Sequence, residues 1–547
     1  MKKTILFLIL TTLFVQTCDL KEHSYTEAGK DNYLNNATEA ETVLMGIYQH
    51  MEKEGMYGYH LSLLFTISSD IAQCEGSATS AFRVIPTNTH TASLNEIAVS
   101  WQELYSGIYD ANDFIETVSM RMENWDDANR ALATVYLAEA RSLRALFYFE
   151  LLRWWGNVPL VRTTAESRQD ASLYCQAAPE AVFAFIENDL KWAADHLPWA
   201  SDDTLRSHGE YRFSKGAVLG LLSKVYCTWA GSPVKDTSKW ADAADAARRV
   251  IVSGKHDLNP SFEALWRNTC NGVWDPMESL IEVSFYSPTA LNSSDPTGRI
   301  GKWNGVSATA VAGVRGRNAA NWKVVYPFVK EWMTHDDPRL WLSVANYKYG
   351  HASGGVTVTD GYITYEETAG STSEDRLNRQ RQLFTPAKWD TEKYVSSANA
   401  LINNDKSNVN WYVLRYAEVL LLYAEAVNEL VGPTTEAVQA FNKVRRRAFG
   451  DTEHDLPLTI SQDVFRDAIR HERAYELCFE GHRKQDLIRW GIYYQTIMET
   501  AQKVADWYPE GNYTVARYTI EGKHELMPIP QRECDLMKGI QQNDAWK

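Results

Sequence analysis

Residues 414–445, LRYAEVLLLYAEAVNELVGPTTEAVQAFNKVR, decide the fold. Leu414 to Leu430 is an apolar run of helical period carrying Ala417, Ala424 and Ala426. Gly432-Pro433 closes it, and Glu436 to Arg445 opens a second helix. The same object occurs earlier: Gly216 to Ala230 is rich in small residues, Gly231-Ser232-Pro233 ends it, and Trp240 to Ile251 follows. Alanines at facing positions let paired helices approach closely, and the second helix of each pair has the A-x-x-A or A-x-x-x-V spacing of tetratricopeptide-like units. The period is imperfect, so these are degenerate repeats, with ordinary helix hairpins as the alternative reading.

Upstream, Tyr136, Ala140, Leu143, Phe147, Leu151 and Trp154 recur at steps of three and four, and Gly156-Asn157-Val158-Pro159 stops that helix. Between the two repeats the period fades. From about Tyr286 to Asn410 the chain is rich in Gly, Ser, Thr and Asn interleaved with aromatic rings, and Val356 to Tyr365 reads as a β-hairpin turning at Asp360-Gly361. Loops of this kind on a rigid helical frame are where binding usually resides. The N-terminus is a leader: Met1, Lys2 and Lys3 precede an apolar run from Ile5 to Val15, too short to span a bilayer, and Val15-Gln16-Thr17-Cys18 reads as a lipoprotein cleavage site, with plain secretion as the alternative because Gln16 and Thr17 are larger than the small residues usual there.

The 547 residues carry a net charge of -15, which excludes a nucleic-acid partner because neutralising phosphates takes clustered Lys and Arg. Seven cysteines lie at 18, 74, 175, 227, 270, 478 and 534 with no C-x-x-C pair, so zinc-ribbon and thioredoxin-like readings fall away. Cys227 and Cys478 lie in apolar stripes and read as free, buried thiols. The chain has 19 Trp and 28 Tyr, a load heavy enough that some rings should line a surface.

Several segments in unbroken order resemble the SusD/RagB family of surface nutrient-binding lipoproteins. They are Ala138 to Phe149 running on to Gly156-Asn157-Val158-Pro159-Leu160, then Tyr211 to Ala217, Asp337-Pro338-Arg339, Trp411 to Ala426, His471-Glu472-Arg473 through Arg483, Met527-Pro528-Ile529-Pro530 and Gln541-Gln542-Asn543. The resemblance implies an all-α scaffold of about four tetratricopeptide-like helix pairs with an irregular portion and a small β-hairpin. It implies a signal peptide over 1–17 with Cys18 lipidated, an N-terminal helical part over 18–255, and a C-terminal part over 256–547 whose loop-rich insertion covers about 286–410. The role it implies is an outer-membrane lipoprotein facing the medium, which captures oligosaccharides and delivers them to a SusC-like TonB-dependent transporter without performing chemistry. A peptide-binding member on the same scaffold, a secreted glycoside hydrolase, and a pure scaffold are the alternatives. No cofactor or metal is called for, and a structural calcium ion is left open.

Sugars offer an apolar C–H face and a hydroxyl-rich edge, so a sugar site needs flat rings beside planar amides, carboxylates or Arg. Trp303 with Asn304, and Asn321 with Trp322, pair a ring with an amide, and Tyr286 and Trp389 lie in the same stretch. A second contribution comes from Asp70, Arg83, Asn88 and His90 in a polar, weakly periodic segment. These residues are chosen by composition, since the loops match no family motif residue by residue. Trp332 and Trp341 flank Asp337-Pro338-Arg339 at helical spacing and read as core. Glu472 and Glu476 share a helix face in the manner of a glycosidase pair, but nearby Arg470, Arg473 and Arg483 favour charge neutralisation in a packed interior. His482 and Asp486 have metal-compatible spacing without a third ligand.

Overall fold

Gly156 (φ 74°) and Gly432 (φ 85°) end the helices Asp127–Trp155 and Tyr416–Val431 in a conformation that a side chain would strain, so these two breaks in the sequence become breaks in the structure. The computed structural model describes residues 33–76, 81–204, 211–288, 296–353, 356–397 and 399–547; the leader and Cys18 lie outside the described residues.

The scaffold consists of α1 (Ala37–Glu52), α2 (Asn95–Arg121), α3 (Asp127–Trp155), α4 (Pro179–His196), α5 (Lys215–Ala230), α6 (Lys239–Val252), α7 (Tyr416–Val431) and α8 (Thr435–Phe449). They pack as successive pairs, α1 on α2, α3 on α4, α5 on α6 and α7 on α8. Each pair also contacts the next, and α9 (Gln462–Glu476) lies against α7. Helix starts follow local chemistry: Asp126, Ser214 and Thr434 each accept a backbone N–H with the side chain at the openings of α3, α5 and α8. Small residues set the spacing. A Cβ on Gly107 of α2 would stand 2.5 Å from the Phe147 ring of α3, and one on Gly220 of α5 would stand 2.8 Å from Leu414.

From Tyr416 to Asn428 every residue of α7 is buried, which accounts for an apolar run without a polar stripe. Its acidic residues are paired: Glu418 with Arg473 (3.1 Å) and Lys224 (3.2 Å), Glu425 with Arg489 (2.5 Å). Beside it lies a dry ionic cluster. Arg339 meets Asp337 (2.6 Å), Glu472 (2.6 Å) and Glu476 (2.8 Å); Arg415 meets Glu278 (2.8 Å), Glu476 (2.5 Å) and Glu480 (2.8 Å); Arg445, Arg447 and Lys388 complete it. The carboxylate pair Glu472 and Glu476 is thus sealed in the interior at 1% and 0% exposure. His482 and Asp486 are likewise committed, to Lys224 and to Arg473 and Arg489.

Among the described residues the irregular portion and its borders carry eight short strands: β1 (Ala72–Cys74), β2 (Ser279–Val283), β3 (Trp322–Val324), β4 (Val344–Ala345), β5 (Tyr347–Ser353), β6 (Val356–Thr364), β7 (Thr385–Pro386) and β8 (Trp411–Arg415). They form antiparallel pairs β1–β3, β2–β8, β4–β7 and β5–β6. The hairpin expected at Val356 to Tyr365 exists with a different turn. That stretch is one strand, and it pairs with Tyr347–Ser353. Asp360-Gly361 falls where the register slips between Tyr349↔Tyr362 and His351↔Val358, so Gly361 (φ 78°) accommodates a bulge instead of a turn. Trp332 is buried and stacks on Tyr475 at 4.8 Å, whereas Trp341, expected in the core, is 45% exposed. Its position follows the break at Asp337-Pro338, which ends the helical period that sequence spacing had carried through. One apolar core runs from Leu34 to Ile540, so N- and C-terminal parts share it. No helix among the described residues is long and apolar enough to cross a membrane. The six described cysteines are free, with Cys74, Cys227, Cys270 and Cys478 buried.

Candidate ligand-binding surface

The loop from Arg299 to Asn304 is held by backbone pairing on three sides. Arg299 N–H donates to the Gly58 carbonyl, Gly298 pairs with Ser407, and Trp322 N–H donates to the Trp303 carbonyl. Trp303, partly buried, is thereby brought 4.9 Å from the Tyr59 ring and 4.8 Å from the Phe82 ring, the latter edge-on at 86°. Its indole N–H donates to Asp405 at 2.7 Å. The Arg299 guanidinium lies 4.3 Å over Tyr59 and is held by Glu54 (2.6 Å) and Asp405 (2.9 Å). On the other side Arg83 lies 4.2 Å over Phe82 and donates to the Glu75 carbonyl. Glu75 N–H in turn donates to the Asn321 carbonyl at 2.8 Å. The Asn321 side chain is half-buried and makes no hydrogen bond among the described residues.

The surface therefore carries two half-buried rings, Phe82 and Trp303, above the buried Tyr59, rimmed by guanidinium, carboxylate and amide groups. Its charges balance: Arg83, Arg299 and Lys323 face Glu54, Glu75 and Asp405, and Lys323 pairs with Glu75 at 3.1 Å. His60, under Tyr59, is pushed down to about 4 by burial and by Arg299, so it is neutral at pH 7. Such a surface suits a neutral, hydroxyl-rich ligand that stacks on rings and hydrogen-bonds at the edge. Tyr286 is 66% exposed; its neighbour Ser287 is bonded to Asn408, in the same loop that supplies Asp405 and pairs with Gly298.

Of the residues chosen from the sequence, Trp303, Asn321 and Arg83 converge here, and Tyr286 is exposed nearby in the chain. The others have different duties. Trp322 (3% exposed) is a core residue of β3, Trp389 (0%) stacks on Trp411 at 5.1 Å, and Asn304 (0%) accepts the Gly301 N–H. Asp70 is held by Arg483 at 2.7 Å, joining the N-terminal part to the C-terminal part. Asn88 (φ 57°) donates to Thr519 and Tyr493 in the interior, and His90, pushed down to about 3 by burial, packs on Trp546. Sequence reasoning missed Phe82, Tyr59, Arg299 and Asp405. Phe82 was findable by the ring-beside-planar-group rule, since it adjoins Arg83. Tyr59 and Asp405 join only through long-range pairing. Among the described residues no group of three or more His, Cys, Asp or Glu is placed to hold a metal ion.

The family model described as "SusD family" matches residues 314–546, and one described as "Starch-binding associating with outer membrane" matches 22–227. The chain is similar to SusD-like protein P2 of Formosa agariphila, 25% identical, across 89% of this chain and 90% of that one. It is similar to the crystal structure of a SusD homolog from Bacteroides thetaiotaomicron at 54% identity and TM-score 0.90, over 95% of this chain and 98% of that one. It shares its fold with surface glycan-binding protein A from Bacteroides thetaiotaomicron, solved in complex with laminarihexaose, at 19% identity and TM-score 0.67, over 92% and 98% of the two chains.

Proposed function

The chain belongs to the SusD family, and from that membership we propose that it is a surface glycan-binding protein of the outer membrane. It captures oligosaccharides on the Phe82–Trp303 surface and passes them, unreacted, to a TonB-dependent transporter of the SusC type. The observation that carries the reading is the convergence of Trp303, Phe82 and Tyr59 with Arg83, Arg299, Asp405 and Asn321 on a charge-balanced patch. Rings supply the stacking face, and the planar polar groups meet ring hydroxyls. The ligand of the laminarihexaose-bound relative, a neutral glucan, is of the same chemical kind.

Binding without turnover is the activity. The carboxylates at glycosidase-like helical spacing, Glu472 and Glu476, are neutralised by arginines in the interior, out of reach of a glycosidic oxygen. Acylation at Cys18 holds the protein at the surface, and the anchor together with the transporter supplies an effective concentration that makes modest affinity sufficient. A glycan array probed with the lipid-free protein tests the reading. Binding to a family of related oligosaccharides supports it; silence across the array with retention of a peptide library assigns the scaffold to peptides instead.

A further inference from the structure

A cavity of about 550 Å³ opens between α2, the segment 159–174 and the C-terminal helix Gln531–Leu536. It shares no lining residue with the Phe82–Trp303 surface. Four rings line it, Trp101, Tyr105, Tyr109 and Tyr174, beside Gln102, Ser106 and Asp110, the last held by His50. The polar ends of those rings are already engaged. Tyr105 donates to the Pro159 carbonyl (2.7 Å), Tyr174 donates to the Ser167 carbonyl (2.8 Å), and Tyr109 accepts from the exposed Arg168 (2.8 Å).

Glu533 lines this cavity at 8% exposure, and its carboxylate has no hydrogen-bond or ion-pair partner among the described residues. The more deeply buried Glu418, Glu425, Glu472, Glu476 and Glu480 each have an Arg or Lys within 3.2 Å, and Glu282, which has no cation, is held by Asn410, Ser279 and Thr269. Burial raises its carboxyl above the ordinary range, with Arg532 opposing the shift. A carboxylate with most of its surface covered and no cation or donor of its own is served by a ligand that brings both. Ring walls around a carboxylate are also the arrangement that favours an ammonium group, attracted by ring faces and neutralised by the acid.

We propose that this cavity is a second ligand site, one that takes a protonated amine, with the ammonium on the Glu533 carboxylate and its carbon frame against Trp101, Tyr105 and Tyr174. The volume falls in the range of small-molecule sites, ~300–1,000 Å³, so a monosaccharide-sized amino sugar or a short diamine fits. The site does not depend on the glycan surface and stands or falls separately.

The test is calorimetric titration of the mature chain with glucosamine and cadaverine, with glucose and N-acetylglucosamine as uncharged controls. Glucosamine is expected to bind about tenfold or more tightly than its uncharged counterparts. Glucosamine without cadaverine identifies an amino sugar, and binding of both identifies the amine irrespective of its carrier. Glu533→Gln removes the charge preference while leaving the melting temperature and Phe82–Trp303 glycan binding in place. Tyr174→Leu, which takes away a wall without touching charge, weakens amine binding severalfold and serves if Glu533→Gln does not fold. Equal affinity for charged and neutral sugars, amine affinity unchanged in Glu533→Gln, or no amine binding up to about 10 mM overturns the proposal.

Discussion

Glu476→Gln removes one charge from the centre of the buried ionic cluster at constant shape. The cluster balances as it stands: Arg339, Lys388, Arg415, Arg445 and Arg447 face Glu278, Asp337, Glu472, Glu476 and Glu480. Glu476 alone touches Arg339, Arg415 and Arg447, and all four are 4% exposed or less. The neutral amide leaves one uncompensated positive charge where water cannot reach it, a change that costs about 3–5 kcal/mol. Spread over the large unfolding entropy of a chain this size, that lowers the melting temperature by roughly 3–5 °C. Differential scanning calorimetry at pH 7 reads it. Adding Arg447→Met to Glu476→Gln restores neutrality and recovers part of the loss, so the two substitutions are non-additive. The same cluster sets an acid limit. The Glu476 carboxyl is held far below its ordinary 4.5, by the three arginines against the opposing effect of burial, so its stabilisation is complete above that pH and is lost as the medium acidifies toward its folded value. A Glu476→Gln protein that melts within about 1 °C of the parent would refute the assignment of this network to stability.

His50 carries a shift of opposite sign. Burial disfavours its charge, but Asp110 at 2.8 Å and Glu103 at 3.4 Å push it up to about 9, so its contribution is full below 6.5 and disappears as pH rises through 9. His50→Ala should cost about 1 kcal/mol more at pH 6 than at pH 10 after screening at the partly exposed carboxylates, the pH-independent remainder being lost packing on Phe147, in paired thermal melts. Thiol labelling of the folded protein should modify exposed Cys175 first and leave Cys227, Cys270 and Cys478 untouched until denaturant is added; early modification of Cys478 would contradict its place in the core. Gly107→Leu drives a side chain into the Phe147 ring and should destabilise the α2–α3 contact by about 1–3 kcal/mol, measured as a lowered melting temperature.

The helical frame was legible because its signals are local. Alanine spacing and Gly-Pro stops act within a few residues, and α5 through α8 lie close to where the sequence put them. Glu472 and Glu476 do sit neutralised in the interior, but by Arg339, Arg415, Arg445 and Arg447 from elsewhere in the chain; of the neighbouring arginines, Arg473 pairs with Glu418 and Asp486, and Arg483 with Asp70. What eluded the sequence were choices made by distant partners. Trp303 and Trp322 look alike in a Gly- and Asn-rich stretch, yet β1 pairs with β3 and buries Trp322 while Trp303 stays at the surface beside Phe82. Asp360-Gly361 has the composition of a turn, but the ladder to Tyr347–Ser353 absorbs it as a bulge. Trp341 keeps the spacing of a core residue across a proline that ends the helix it was counted on. Arg299, Tyr59 and Asp405 assemble over separations that no local pattern spans.

The central claim is that Trp303 and Phe82 hold the sugar. It is tested most directly by titrating Trp303→Ala and Phe82→Ala against the tightest oligosaccharide found on a glycan array. Stacking on these rings predicts a loss of about 1–3 kcal/mol in each variant, roughly fivefold to 150-fold in affinity, with folded protein by circular dichroism. Undiminished affinity in both would contradict it.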